Sequence, residues 1–182
     1  MGITHIFLVL SINFRGGILF FLYLYDMGRY NYTKALEKLT QWGKSEGYKI
    51  SFNHNDISYI KWKKRSLNEP TEIRIEGKYS NELKTYLLLH ELGHHQLRKD
   101  WGLFEKELPV TAKAEYIHLF ENISKYKRRK DYYVSSMEEE FKAWEEGKKL
   151  AEELGIRINE VKWNDFKTEC LMSYMRYYSK KK

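Results

Sequence analysis

His90 and His94, with Glu91 directly after the first of them, are the residues of this chain whose types and spacing best suit chemistry. A helix turns about 100° per residue, so His90 and His94 leave one face a turn apart and two imidazole nitrogens can meet one cation. The stretch His90-Glu91-Leu92-Gly93-His94 is the HExxH pattern of zinc sites. Glu91 is placed to reach a water on such an ion but is poorly aimed as a ligand, and its natural role is general base. Leu83, Leu87 and Leu97 share the face of the two histidines, so the pair lies along a stripe that the helix buries. Two histidines and an acid on one buried turn are costly without a ligand, which sets the metal above a pair of hydrogen-bonded core histidines.

A catalytic zinc takes three protein ligands and keeps one position open, so a third ligand must come from elsewhere. In the extended motif HExxHxxGxxH a glycine turns the chain three residues past the second histidine; here Leu97 stands there and Asp100 occupies the third-ligand position. The helix is therefore expected to run on and carry Asp100 away. His95 lies about 100° round from His94, and His118 projects off the apolar face of its own helix. After Ser136, the residues Met137, Phe141, Trp144, Gly147, Ala151 and Leu154 make one apolar arc with Glu140 in its middle. Glu138, Glu145, Glu146, Glu152 and Glu153 face away. A carboxylate in a buried arc needs a cation, either a buried Arg or Lys or the zinc of the two histidines, and the metal is the preferred reading. Tyr132 and Tyr133, just before this helix, are candidate partners for an oxyanion.

The order of a strand, a helix carrying His-Glu-Leu-Gly-His and a later helix carrying Glu-x-x-Ala resembles the ImmA/IrrE-type metallopeptidases of bacteria, phages and mobile elements, which are gluzincin-like zinc enzymes. The resemblance covers roughly residues 31–155. It implies a zincin-like fold, hydrolysis of a protein or peptide substrate, zinc on His90, His94 and Glu140, Glu91 as catalytic glutamate, and Ala143 in the alanine position. Lys142 stands where the family often has a second acid, and no helix-turn-helix segment accompanies the peptidase text, so no repressor is implied as target.

The elements that must position these residues are legible in order. Tyr32, Ala35, Leu36, Leu39 and Trp42 keep helical spacing, with Asn31 or Thr33 as cap and Gly47 beyond the end. Residues 48–52 and 57–62 alternate, separated by the turn chemistry of Asn53-His54-Asn55-Asp56, which predicts a hairpin. A third strand over 71–76 leads to the motif helix, capped by Ser80, and this strand could add an extended peptide to its edge. Residues 101–109 read as a connection, followed by a helix that Thr111 caps and that runs to about Tyr126, with Ala112, Tyr116, Leu119, Phe120 and Ile123 on one face. Ser135 and Ser136, each three residues before a glutamate, predict a helix start, and Gly155 its end. A last helix from Asn164 carries Phe166, Cys170, Tyr174, Tyr177 and Tyr178 as packing surface or cleft lining. The fold class expected is α+β: a zincin-like domain with a small antiparallel sheet of about three strands packed on the HExxH helix and further helices.

Bulk properties bound the rest. The 182 residues suit one domain over 27–182, preceded by an apolar segment over 1–26. Arg15 within that segment argues against a comfortable membrane span, leaving a marginal anchor, a buried hairpin or sequence upstream of a start at Met27, the last being preferred. The net charge of +7 permits an anionic partner. The basic groups, Lys61 to Arg65, the run 125–130 and the tail 180–182, read as solvated loops or ends in preference to a nucleic-acid groove. The single cysteine, Cys170, excludes an internal disulfide and suits a reducing, cytoplasmic setting. A non-catalytic zinc-stabilised module binding nucleic acid through 125–130 is the alternative to a peptidase; Glu91 opposes it, because a structural site needs no base.

Overall fold

The computed structural model describes residues 7–12, 18–23, 30–54, 58–63, 66–67, 69–121 and 129–180. They fall into two compact units, Met1–Tyr30 and Asn31–Lys182. In the first, β1 (Phe7–Ile12) pairs antiparallel with β2 (Ile18–Tyr23), Phe7 opposite Tyr23 and Ile12 opposite Ile18. Arg15 and Met27, on which the readings of this segment turn, lie outside the described residues. No helix among the described residues is long and apolar enough to cross a membrane.

The second unit is α+β. Its first helix, α1 (Tyr32–Ser45), starts on Asn31, whose side chain accepts from the Lys34 N–H. Three strands follow, β3 (Lys49–Asn53), β4 (Tyr59–Trp62) and β5 (Pro70–Glu76). Their order is β3-β5-β4, with β3 parallel and β4 antiparallel to β5. The expected hairpin between β3 and β4 is therefore not formed, and the sheet is mixed where an antiparallel one was expected. The reason is burial: Ile73 and Ile75 of β5 are fully buried, whereas β3 and β4 bury no residue completely. The strand with the most to hide takes the centre, where both of its edges are also paired.

The motif helix α2 (Asn81–Lys99) begins at Ser80, as expected, with the Ser80 Oγ accepting from the Leu83 N–H. Every residue from Thr85 to His95 is buried, so α2 is wrapped on all sides and is no half-wet surface helix. It ends because Asp100 turns to extended backbone and caps a new helix, α3 (Trp101–Glu107), accepting from the Leu103 N–H at 3.0 Å. The connection expected over 101–109 is thus helical, and Phe104, Leu108 and Ala112 form a small second core. Next comes α4 (Pro109–Tyr116), continued by a π turn over Ile117–Glu121. Pro109 opens α4, so Thr111 lies inside it and meets Ser135 at 2.6 Å instead of capping. Tyr116 and Phe120, expected on one face with Ala112, are half-exposed, their rings tilted against each other with centroids 4.8 Å apart.

The longest helix, α5 (Lys130–Glu153), starts five residues before Ser135, so that both serines are buried within it and neither caps. The chain closes with α6 (Glu160–Ser179), capped by Asn159 and anchored by fully buried Trp163. Packing of α2 against α5 is backbone on backbone. A Cβ on Gly93 would collide with the carbonyl oxygen of Ala143 and stand 2.9 Å from the Gly147 nitrogen; one on Gly147 would collide with the Leu89 carbonyl. Only glycine at both crossings lets the two helices come this close. Around the crossing Tyr86, Trp144 and Trp163 pack edge to face at 5.0–5.3 Å, in a core shared with Leu39, Ile73, Ile75 and Leu88.

Candidate metal centre

His90 and His94 project from α2 one turn apart, and α5 brings Glu140 to both. Glu140 Oε2 stands 3.2 Å from His90 Nε2 and 3.6 Å from His94 Nε2, and the three donor atoms all lie within 4.8 Å of one another. Tetrahedral donors bonded to one zinc at about 2.0–2.2 Å are about 3.3–3.6 Å apart, so the two observed separations suit a shared ion. Neither approach makes a directed hydrogen bond: Glu140 Oε2 is buried with no hydrogen-bond partner, as is His90 Nδ1. Three donors converging without bonding one another fit a cation, and the set of two imidazoles and one carboxylate fits a borderline-soft divalent metal.

Charge in the cluster is strongly coupled. Burial pushes the Glu140 carboxyl up, but His94 and His90 outweigh it and hold the group well below the usual carboxylate range. For His94 burial lowers the pKa, and Glu140 and Glu139 more than reverse it. His90 is lowered by burial, only partly offset by Glu140. Its ring lies flat on Trp144, centroids 4.4 Å apart, which fixes its plane.

The spacing of acids along α5 hid one participant. Among its acids Glu140 was expected to be alone in the apolar arc, yet Glu139 is the more deeply buried of the two, its side chain 7% exposed against 16% for Glu140. Phe141, assigned to that arc, is half-exposed beneath the Lys167 ammonium. The buried positions are Ser135, Ser136, Glu139, Ala143, Trp144, Gly147, Leu150 and Ala151, so the arc sits about one residue round from the expected phase. Glu139 Oε1 accepts from Arg98 Nη2 at 2.6 Å and Nε at 3.1 Å, and lies 3.2 Å from His94 Nδ1. Burial works against ionising Glu139, but Arg98 and His94 prevail and hold it below the usual range, so it is an acceptor only. The proton shared with His94 must then sit on Nδ1, which makes Nε2 the nitrogen on which a metal would be taken. Arg98 is itself buried between the rings of Trp62 and Phe104, at 4.9 and 5.0 Å. Arg98 follows His94 by four residues and shares its face, but that spacing says nothing of its partner Glu139 on another helix.

Glu91 is buried beside the cluster. Burial, opposed by His94 and aided by Glu140, pushes its carboxyl up to about 7, and the backbone N–H of Ile60 in β4 pulls it back. Glu91 borders two cavities. One, of about 280 Å³, runs over His90 between Leu87, Trp144, Phe166 and Cys170 to Glu76 and Lys78; the other, of about 240 Å³, is bounded by β4, His94, Glu139, Glu140 and Tyr132. The remaining expectations divide. Tyr132 lines the second cavity and donates to Glu115 at 3.4 Å, whereas Tyr133 lines neither and stacks on Tyr178 at 4.6 Å. Asp100, His95 and His118 are not brought to the metal ligands; His95 sits edge-on to Tyr48 and 3.8 Å from Glu46. Of the basic run 125–130 only Arg129 and Lys130 are described. Compared with family models, with curated proteins and with solved structures, the chain gives no match to any.

Proposed function

We propose that this chain is a zinc-dependent peptidase of the gluzincin-like kind, in keeping with its resemblance to the ImmA/IrrE-type enzymes. The observation that carries the reading is the convergence of His90, His94 and Glu140 on one point, with Glu91 beside it on the border of two cavities. Zinc bound there supplies a polarised carbonyl and a water of lowered pKa. Glu91, a buried carboxylate poised near neutrality, takes the proton of the attacking water and returns it to the departing amine. Glu139 and Arg98 hold the His94 ring in one tautomer throughout. The substrate strand was expected to add to β5, but β5 is central and both its edges are taken. Among the described residues β3 and β4 each pair only with β5, and of the two outer edges that of β4 is the one beside the site, because Ser58, Tyr59, Ile60 and Trp62 border the second cavity, so an extended peptide would add there.

The test is metal content and peptide hydrolysis measured together on the wild type and on Glu91→Gln. One zinc per chain in both, with turnover lost by about 10²- to 10⁴-fold in the variant, is the expected result. Equal turnover in the two, with contaminating protease excluded, or a zinc-loaded wild type that cleaves nothing in a peptide library, would remove the peptidase reading.

A further inference from the structure

Of all the residues bordering the two cavities, Ser58, Glu91 and Tyr174 alone border both. They come from three places in the chain: Ser58 from the residue before β4, Glu91 from α2 and Tyr174 from the distal half of α6. His90 borders the first cavity and His94 and Glu140 the second, so a peptide bond presented to these three residues lies at the border that the cavities share, beside Ser58, Glu91 and Tyr174. Glu91 already has the proton-transfer role. Ser58 is tied to the sheet through its Oγ, which accepts from the Glu76 N–H at 3.1 Å. Tyr174 borders both cavities from α6 and lies near enough to Glu140 and Glu91 for their charges to act on its hydroxyl.

From this placement we infer that the Tyr174 hydroxyl is the hydrogen-bond donor to the carbonyl oxygen of the bound peptide as that carbon becomes tetrahedral. The inference rests on the peptidase reading and deepens it. The water oxygen adds to the carbonyl carbon while its proton passes to Glu91, and the π pair of the C=O bond moves onto the oxygen, where Tyr174 O–H meets it without giving up its own proton. The pair then re-forms C=O as the C–N bond breaks, and the proton on Glu91 goes to the leaving nitrogen. Tyr174 suits a donor that stays protonated: burial first, then the negative charges of Glu140 and Glu91, push its pKa upward. The other tyrosines are placed differently. Tyr132 donates to Glu115 and borders one cavity only, and Tyr133 borders none.

The experiment compares zinc-loaded full-length wild type with Tyr174→Phe, and with Tyr133→Phe as control. Three quantities are read: zinc content, kcat and KM on a peptide the wild type cleaves, and the Kd of the phosphinate analogue of that peptide, whose tetrahedral phosphorus mimics the attacked carbon. Loss of one oxyanion donor costs about 10²- to 10³-fold in kcat, so Tyr174→Phe is expected to lose that much with KM changed less than about twofold. Phosphinate binding should weaken by a similar factor, with zinc content and melting temperature unchanged and Tyr133→Phe like wild type. A Tyr174→Phe protein that matches wild type in kcat and phosphinate affinity overturns the inference and leaves the peptidase reading standing, as does one that loses zinc, which would make Tyr174 structural. A wild type that neither cleaves peptides nor binds any peptide phosphinate overturns both.

Discussion

A carboxylate that accepts from Arg98 and His94 at once holds a proton on Nδ1 of His94, and so would tune any metal taken by Nε2 of the same ring. Glu139→Gln keeps the shape but replaces one oxygen by an amide that can donate, so the tautomer of His94 is no longer dictated. We expect zinc affinity, measured by competition with a chromophoric chelator, to fall about 10- to 100-fold. Glu139→Ala should do more, leaving the Arg98 guanidinium buried and unpaired at a cost of about 3–5 kcal/mol in a urea melt. Glu140→Ala should weaken zinc binding more than Glu139→Gln, whereas Glu138→Ala and Glu145→Ala, on exposed or half-exposed positions, should leave it within error. Equal affinities for wild type and Glu139→Gln would show that the Nδ1 contact does not order the site.

At the scale of elements, the ligand geometry depends on how closely α2 and α5 approach, because two ligands ride on one helix and the third on the other. Gly93→Ala puts a methyl into the Ala143 carbonyl, a contact of backbone with backbone that no side-chain rotation relieves. The expected loss is at least about 1–3 kcal/mol of stability together with weakened zinc binding, since the helices must part and carry Glu140 away from the histidines. A Gly93→Ala protein with wild-type melting temperature and zinc affinity would show the crossing to be looser than described. A second junction ties α1, α2 and α6. Tyr86 Oη donates to Glu82, Tyr32 and Tyr86 share a hydroxyl contact at 2.8 Å, Lys162 reaches Glu82 at 2.9 Å, and the Asn159 N–H donates to Tyr32 Oη. Burial raises the Glu82 carboxyl, but Lys162 and the two tyrosines prevail and lower it. A carboxyl depressed on folding contributes stability that is present above its unfolded pKa and lost as the pH falls through its folded pKa. Glu82→Gln should therefore be less stable than wild type by about 1–2 kcal/mol at about pH 7, with the gap closing towards about pH 3. A gap that is the same at both pH values would exclude ionised Glu82 as its source.

For the whole molecule, Met1–Tyr30 and Asn31–Lys182 are separate compact units, and all three candidate ligands, the base and both cavities belong to the second. A chain beginning at Met27 is expected to fold cooperatively and to bind one zinc with the affinity of the full chain. Aggregation or loss of zinc in that chain alone would show that residues 1–26 belong to the fold. Binding to the native state alone stabilises it by about 2.7 kcal/mol at a hundredfold excess over Kd, so chelation should lower the melting temperature in proportion to the free zinc removed. Glu140→Ala protein should show no such drop.

What was legible without a structure was whatever depends on the period of one element. Helical periodicity sufficed to put His90 and His94 on one face, to set Glu91 beside them and to carry Glu140 towards them on a separate helix. Asn31 and Ser80 were readable as caps because capping is chemistry within four residues. The strand order, the burial of α2 on every side and the true arc of α5 were not, because each is decided by which elements compete for the same apolar surface. β5 takes the middle of the sheet through its contest with β3 and β4, and a one-residue error in helical phase was enough to hide Glu139 while still finding Glu140. Arg98 and Tyr174 show the limit most plainly. Their side chains acquire a role only from partners 41 residues away in the case of Arg98 and, for Tyr174, from the laying of α6 over a cleft that α2, α5 and β4 create between them. Long-range packing of that kind has no local period, so only the tertiary structure could place them.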